Sequence, residues 1–562
     1  MDFTECYRDT VSSVAAAARS GCRKRVRRMI NRGFSVDCRD NRGWNALHEA
    51  AAAGSKECVQ EILSAAGASG SSRGCRAYVN SLTHEGESAC YLAAQRGHLA
   101  VVKHLLKAHA DMNQLTNDLS CPLYAAVDGG HKEVVALLVS KGAEVNRTHT
   151  ASCWTCLHQA AYKGQSEIVQ ILVSVCDLEV LDDHRISPLF VAAQYGQQDC
   201  LQILVNTGAN VNAQAADLAT PLLIASQEGH ETCVKFLLDH GADPNTACSR
   251  DWPQLAIHAA AEFGHISILK RLIAVTDRVC DRGDGMVSPL YVAINGQQCK
   301  SIEILLEEGF SPDAQDCTNI LGVSSPLSYA LSRSSNKPCS EPVRLLIAAG
   351  ARLCEKVWIC AMATDRSELL QLILDHRRIP QPETLTSDCP EHQCRGRTLL
   401  RLEELRGLLC VALNQTRFAA CWLPLLLRAG LEPSLLLQPD MLEQADSEAL
   451  NYLLGFVNWS ILSPSLKHIL DRRQAEKSWD PSSHFGSIPA LSHLCRLKVR
   501  AVLGPGVLMR TAVVQQLPVP SPLHGFLQFK DISDAFFTHS SPSPALHQIQ
   551  EYQSTHQHRH VL

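Results

Sequence analysis

The sequence predicts an all-α solenoid of stacked helical hairpins with a small helical module near its carboxyl end. Three observations predict it. One short pattern keeps returning: a small polar residue, then Pro or another small residue, Leu, a variable letter, and paired Ala residues ahead of Gly. It reads Asn45-Ala46-Leu47-His48-Glu49-Ala50-Ala51, Thr155-Cys156-Leu157-His158-Gln159-Ala160-Ala161, Ser187-Pro188-Leu189-Phe190-Val191-Ala192-Ala193 and Ser288-Pro289-Leu290-Tyr291-Val292-Ala293, among others. Its anchors are Val14, Leu47, Cys90, Leu123, Leu157, Leu189, Leu222, Ile257, Leu290 and Leu327, spaced by 32–37 residues except for one gap of 43. Aromatic residues make up only 5% of a chain that is 46% hydrophobic. That balance suits thin layers of small-residue helices better than a thick aromatic core.

The letters of each unit have physical reasons. Thr or Ser caps the first helix, and Pro sits in its first turn, where no hydrogen-bond donor is lost. Paired alanines let two helices approach closely, and the following Gly ends the helix in a left-handed conformation. An apolar i, i+3, i+4 pattern then marks a second helix. A closing turn such as Gly208-Ala209-Asn210-Val211-Asn212 or Gly241-Ala242-Asp243-Pro244-Asn245 leads to the next unit. No single unit can bury its apolar face, so the units must stack. This wording and period resemble the ankyrin repeat. About ten clear repeats span residues 4–353, and the long gap absorbs a Gly/Ser-rich insert at 67–74. About two divergent repeats are expected over 354–440. Trp358–His376 reads as a helix pair, a polar insert with three prolines occupies 380–394, and 399–433 resembles a last degenerate unit. A helical connector is expected at 441–484, with a helical pattern over 447–475 that carries Trp459. The Ser-, Gln- and His-rich tail, 541–562, is expected to be disordered.

Residues 485–532 form the carboxyl-terminal module. Pro489 suits a helix start. Leu491, Leu494, Cys495 and Val499 then fall at i, i+3, i+4 and i+8, on one helical stripe, with Arg496, Lys498 and Arg500 largely off it. About twenty residues later, Leu517-Pro518-Val519-Pro520 presets an extended stretch ahead of a short apolar helix. Leu-x-x-x-Cys-x-x-x-Val resembles the elongin-binding box of a three-helix SOCS box, and Leu-Pro-x-Pro resembles its cullin-selecting box. Repeats followed by such a module are the architecture of the ankyrin repeat and SOCS box family. The resemblance implies a non-catalytic substrate receptor. It would dock elongin C with its bound elongin B, recruit cullin-5 with a RING subunit, and present a protein substrate for ubiquitination. By the same resemblance Leu491, Leu494, Cys495 and Val499 would bind elongin C, and Leu517, Pro518 and Pro520 would set cullin choice. Val519 stands where the family usually has Leu.

Other function classes find little support. With 52 Lys and Arg against 57 Asp and Glu, the net charge of −5 disfavours binding to nucleic acid. No stretch is long and apolar enough for a membrane span. Met1-Asp2-Phe3-Thr4-Glu5 lacks a secretory pattern, so the 24 cysteines are expected to be reduced thiols in the cytoplasm or nucleus. Cys153-Trp154-Thr155-Cys156 is a C-x-x-C sequence, but zinc would need a second well-spaced ligand pair and none is evident in the sequence. No metal or cofactor is therefore expected. His48, His158 and His258 share one letter of the repeat and are expected to bond backbone and tie neighbouring units. His556, His558 and His560 belong to the tail. Trp44, Trp154 and Trp252 lie where hairpins lead into helices, and are candidates for a substrate surface or for packing between hairpins. Two alternatives remain: an ankyrin scaffold with no ligase role, and an enzyme with a site hidden in 447–562. No catalytic constellation supports the latter.

Overall fold

The computed structural model describes residues 13–67, 72–149, 152–248, 254–282, 287–333, 340–354, 357–358, 367–378, 398–401, 404, 426, 431, 439–444, 447–481, 485, 489–503, 515–517 and 520–527. The chain divides into two compact units, Met1–Arg278 and Val279–Leu562.

The first unit is a stack of eight helix pairs, from Ser13–Arg19 with Arg23–Asn31 to Ala256–Phe263 with Ile266–Val275. First helices pack on first helices and second on second, with the paired alanines and the anchors Leu47, Leu123, Leu157, Leu189 and Leu222 sealed between layers. The caps are those the letters imply. Ser88 Oγ accepts from the Tyr91 amide at 3.1 Å, and Ser187 and Thr220 accept likewise from Phe190 and Leu223. Pro122, Pro188 and Pro221 open their helices. Gly97 shows why the repeat needs glycine. Its φ is +75°, and a Cβ there would stand 2.4 Å from His131 Nδ1 of the next pair. That histidine uses the close approach, since its Nε2–H donates to the Gln95 carbonyl at 2.9 Å.

The insert at 67–74 is not simply a loop. The helix Lys56–Gly67 runs up to it, and an extra helix, Ser72–Val79, begins inside it. Tyr78 anchors that helix by donating to the Val36 carbonyl at 2.9 Å.

The second unit begins with two further pairs, Pro289–Asn295 with Cys299–Glu307 and Pro326–Arg333 with Glu341–Ala348. Ten pairs thus follow the repeat among the described residues. Beyond them Trp358 is buried and donates to the Glu404 carbonyl, and the helix Ser367–His376 follows. Among the described residues a two-residue parallel pairing, Arg377–Arg378 with Thr398–Leu399, makes the one named sheet. It is held by buried Arg377 beside buried Glu404 at 3.7 Å. The insert at 380–394, most of 399–433 and the tail at 541–562 lie outside the described residues. The connector holds the helices Ser447–Leu454 and Pro464–Ala475, with a 3-10 turn, Trp459–Ile461, between them. Of the carboxyl-terminal module, Leu491–Leu503 and Ser521–Leu527 are described helices; the expected third helix falls outside the described residues. Among described residues no helix is long and apolar enough to cross a membrane.

Candidate docking sites

The helix Leu491–Leu503 is inside out. Its stripe of apolar residues faces away from the protein: Leu491 is 76% exposed and Val499 41%, Cys495 is exposed, and Leu494 is half-buried. Val502, not anticipated from the sequence, extends the ridge at 76% exposure. The buried face consists of His493, Arg496 and Arg500, at i, i+3 and i+7.

These polar groups are buried because each finds a partner. His493 Nε2–H donates to the Val457 carbonyl at 3.0 Å, which leaves Nδ1 to accept from Arg496 at 2.8 Å. Arg496 also reaches the Phe526 carbonyl and lies over the Phe526 ring, 4.1 Å from its centroid. Arg500 donates to the Leu527 carbonyl at 2.5 Å. Both carbonyls belong to the last turn of Ser521–Leu527, the end of a helix that favours cations. Trp459 of the connector closes the joint against Phe485 and His493, at ring separations of 4.9 and 5.5 Å. The polar face thus fixes the helix to the protein and leaves its apolar face free.

Of the second box, Leu517 is half-buried and accepts from His524 Nε2 at 3.4 Å, and Pro520 is exposed just ahead of Ser521–Leu527. Pro518 lies outside the described residues.

The tryptophans divide. Trp44 is half-buried, packed on Ala52, Tyr91, Leu92 and Ala125, with the Arg42 guanidinium 4.4 Å above its ring. Trp154 is half-buried and donates to Asp182 of the next hairpin at 3.2 Å, a tie between hairpins. Trp252 lies outside the described residues. Trp154 also begins an aromatic row: Tyr162 meets it edge-on at 5.7 Å, and Tyr195 meets Tyr162 at 4.7 Å. Tyr162, Tyr195 and Phe263 are all exposed. Nothing in the sequence marks these three, although each stands one or two residues before a repeat glycine, on the open flank of a first helix.

Two of the repeat histidines tie neighbouring hairpins through backbone. His48 Nε2–H donates to the Ser81 carbonyl and His158 Nε2–H to that of Ile186, each at 3.0 Å and each in the next hairpin. Burial holds the His48 imidazole neutral, with its pKa pushed down to about 4.

Cys153 does not belong to the group that Cys156 joins. Cys156 is buried with Cys121 and His149, and the three side chains' ligand atoms all lie within 4.8 Å of one another. Cys121 lies 35 positions back in the sequence and His149 seven, so sequence spacing concealed the group. A hydrogen bond from Cys156 draws the Cys121 thiol below its ordinary range, against the opposing effect of burial, and His149 assists. Cys156, bonded to that sulfur and buried beside it, is pushed up.

Comparison with known proteins fits this arrangement. Models described as ankyrin repeats match residues 14–63, 71–149 and 157–248, and one described as the SOCS box matches residues 487–528. The chain is similar to ankyrin repeat and SOCS box protein 3 of Bos taurus, with 39% identity over 535 residues, 95% of this chain and 96% of that one. It is equally similar to the Homo sapiens protein of that name, at 39% identity over 95% of this chain and 97% of that one. Ankyrin repeat and SOCS box protein 14 of Mus musculus is 27% identical over 301 residues, covering 49% of this chain and 50% of that one.

Proposed function

The chain belongs to the ankyrin repeat and SOCS box family, and on that footing we propose that it is a substrate-recognition subunit of an elongin–cullin–RING ubiquitin ligase. The observation that carries this is the exposed ridge of Leu491, Cys495 and Val499 on a helix anchored by its polar face. An apolar ridge on a fixed helix is the form that fits a groove on a partner. Leu491 is the knob that enters the elongin C pocket, and Leu494 and Val499 extend the contact. Cys495 is small enough to let the helix lie close. Leu517, Pro518 and Pro520 select the cullin, which is cullin-5. Elongin B arrives bound to elongin C.

The chemistry belongs to the assembly. This chain contributes proximity, holding a target lysine near a ubiquitin carrier at high effective concentration. The repeats hold the protein substrate. We assign that surface to the open first-helix flank, where Trp154, Tyr162 and Tyr195 form a continuous row. Trp44 and Trp252 remain candidate contributors.

The deciding experiment replaces Leu491 by Asp and Cys495 by Arg in the full chain. Elongin B and C should no longer copurify, while the far-ultraviolet circular dichroism of the repeats stays unchanged. Elongin retained at wild-type levels would reject the assignment and favour a scaffold with no ligase role.

A further inference from the structure

Three departures from the repeat pattern meet at one point. First helices in this chain are capped by Ser88, Ser187 and Thr220, but the fourth repeat has Cys121. Pro or Ala fills the next position in neighbouring repeats, as at Ala89, Pro122, Pro188 and Pro221, but the fifth repeat has Cys156. The hairpin position held by Asp40, Thr83, Thr116 and Asp182 is His149 in the fifth repeat. Stacking brings the three together, with Cys121 2% exposed and the other two fully buried.

The geometry is that of ligands around one ion. Thiolate bound at about 2.3 Å and imidazole at about 2.0 Å, at a tetrahedral angle, stand about 3.5 Å apart. Cys121 Sγ and His149 Nε2 are 3.6 Å apart. The histidine is also oriented for the task. Its Nδ1 lies 2.9 Å from the Leu119 carbonyl, which can only accept. Nδ1 therefore carries a proton, which makes Nε2, the nitrogen that faces the sulfur, the one that can ligate an ion. A backbone carbonyl holding the far nitrogen is the usual support for a metal-binding imidazole. Among the described residues no fourth Cys, His, Asp or Glu joins them. Two sulfurs and one nitrogen do not suit calcium or magnesium, which take oxygen. They suit a soft, closed-shell cation.

We propose that Cys121, His149 and Cys156 bind one thiophilic cation, zinc(II) or copper(I), which clamps the fourth repeat to the fifth. On binding, each sulfur enters as thiolate and its proton leaves to solvent; no electron is transferred. Affinity should therefore fall as pH falls.

The test uses the full chain, purified under reducing, metal-controlled conditions and loaded separately with zinc(II) or copper(I). Bound metal is counted by mass spectrometry after dialysis, and cobalt(II) serves as an optical probe of thiolate ligation. One equivalent of zinc or copper should remain, and should raise the melting temperature. The double variant Cys121→Thr, Cys156→Pro restores letters that Thr220 and Pro221 hold in another repeat, so it should fold without metal. It should lose that equivalent, the cobalt–thiolate band and the metal-dependent rise in melting temperature. His149→Thr, the residue at Thr83 and Thr116, should weaken binding by about a hundredfold or more, beyond the usual cost of losing an outer-shell partner. Cys153→Ser should bind as wild type. The proposal fails if neither metal is retained, if the double variant keeps the equivalent, or if Cys153→Ser loses it.

Discussion

His48 and His158 illustrate how one residue can carry a repeat's register. Each bonds its own helix start through Nδ1 and the next hairpin through Nε2, which a neutral imidazole can do and an imidazolium cannot. The folded His48 holds a proton only below about pH 4, whereas the unfolded residue takes one near 6.5. Between those values the unfolded chain binds more protons, so stability is lost as pH falls through that window. The loss approaches about 1.4 kcal/mol per pH unit and totals about 3 kcal/mol at pH 4. Denaturation midpoints at pH 7, 6 and 5 should fall accordingly. His48→Leu, the residue that Leu223 places at the same letter, should flatten that slope whatever its cost at neutral pH. An unchanged slope would mean that His48 is not the group concerned.

A helix can be periodic in two opposed senses, and Leu491–Leu503 makes the difference visible. The 3.6-residue period sorts Leu491, Cys495 and Val499 onto one face and His493, Arg496 and Arg500 onto the other. Hydrophobicity alone would turn the first face inward. The second face goes inward because Val457, Phe526 and Leu527 offer carbonyls that a guanidinium or imidazole can reach. A buried charge bonded in this way avoids most of the penalty of leaving water. Arg500→Ala removes the bond to Leu527 and leaves the ridge intact. Hydrogen exchange over residues 521–527 should then speed up by tenfold or more, about 1.4 kcal/mol, with elongin still captured. Unchanged exchange would show that the arginine contributes nothing to the joint.

At the scale of the whole molecule, the proposed function places recognition and delivery in separate parts of the chain. Tyr162 and Tyr195 lie in the first compact unit, and the ridge lies in the second. Within the second, Leu491 and Pro520 precede different helices or begin them, so elongin and cullin contacts should be separable. Replacing residues 517–520 by alanines should abolish cullin capture while elongin B and C still copurify. Loss of both would mean that the two segments form a single contact.

The repeats, their caps and turns, and the helix pairs were legible from the sequence because each depends on neighbours a few positions away. Ser187 and Pro188 specify a helix start wherever they are placed, and a positive φ asks for Gly97 whatever lies beyond it. Two things were not legible. The sequence told which residues of Leu491–Leu503 share a face but not which face meets the protein, since the deciding carbonyls lie some thirty residues away. It also hid the meeting of Cys121, His149 and Cys156, because Cys153 offered a nearer and more familiar spacing. Periodicity is a local property of the chain, whereas burial and the company a side chain keeps are set by whatever the stack brings alongside.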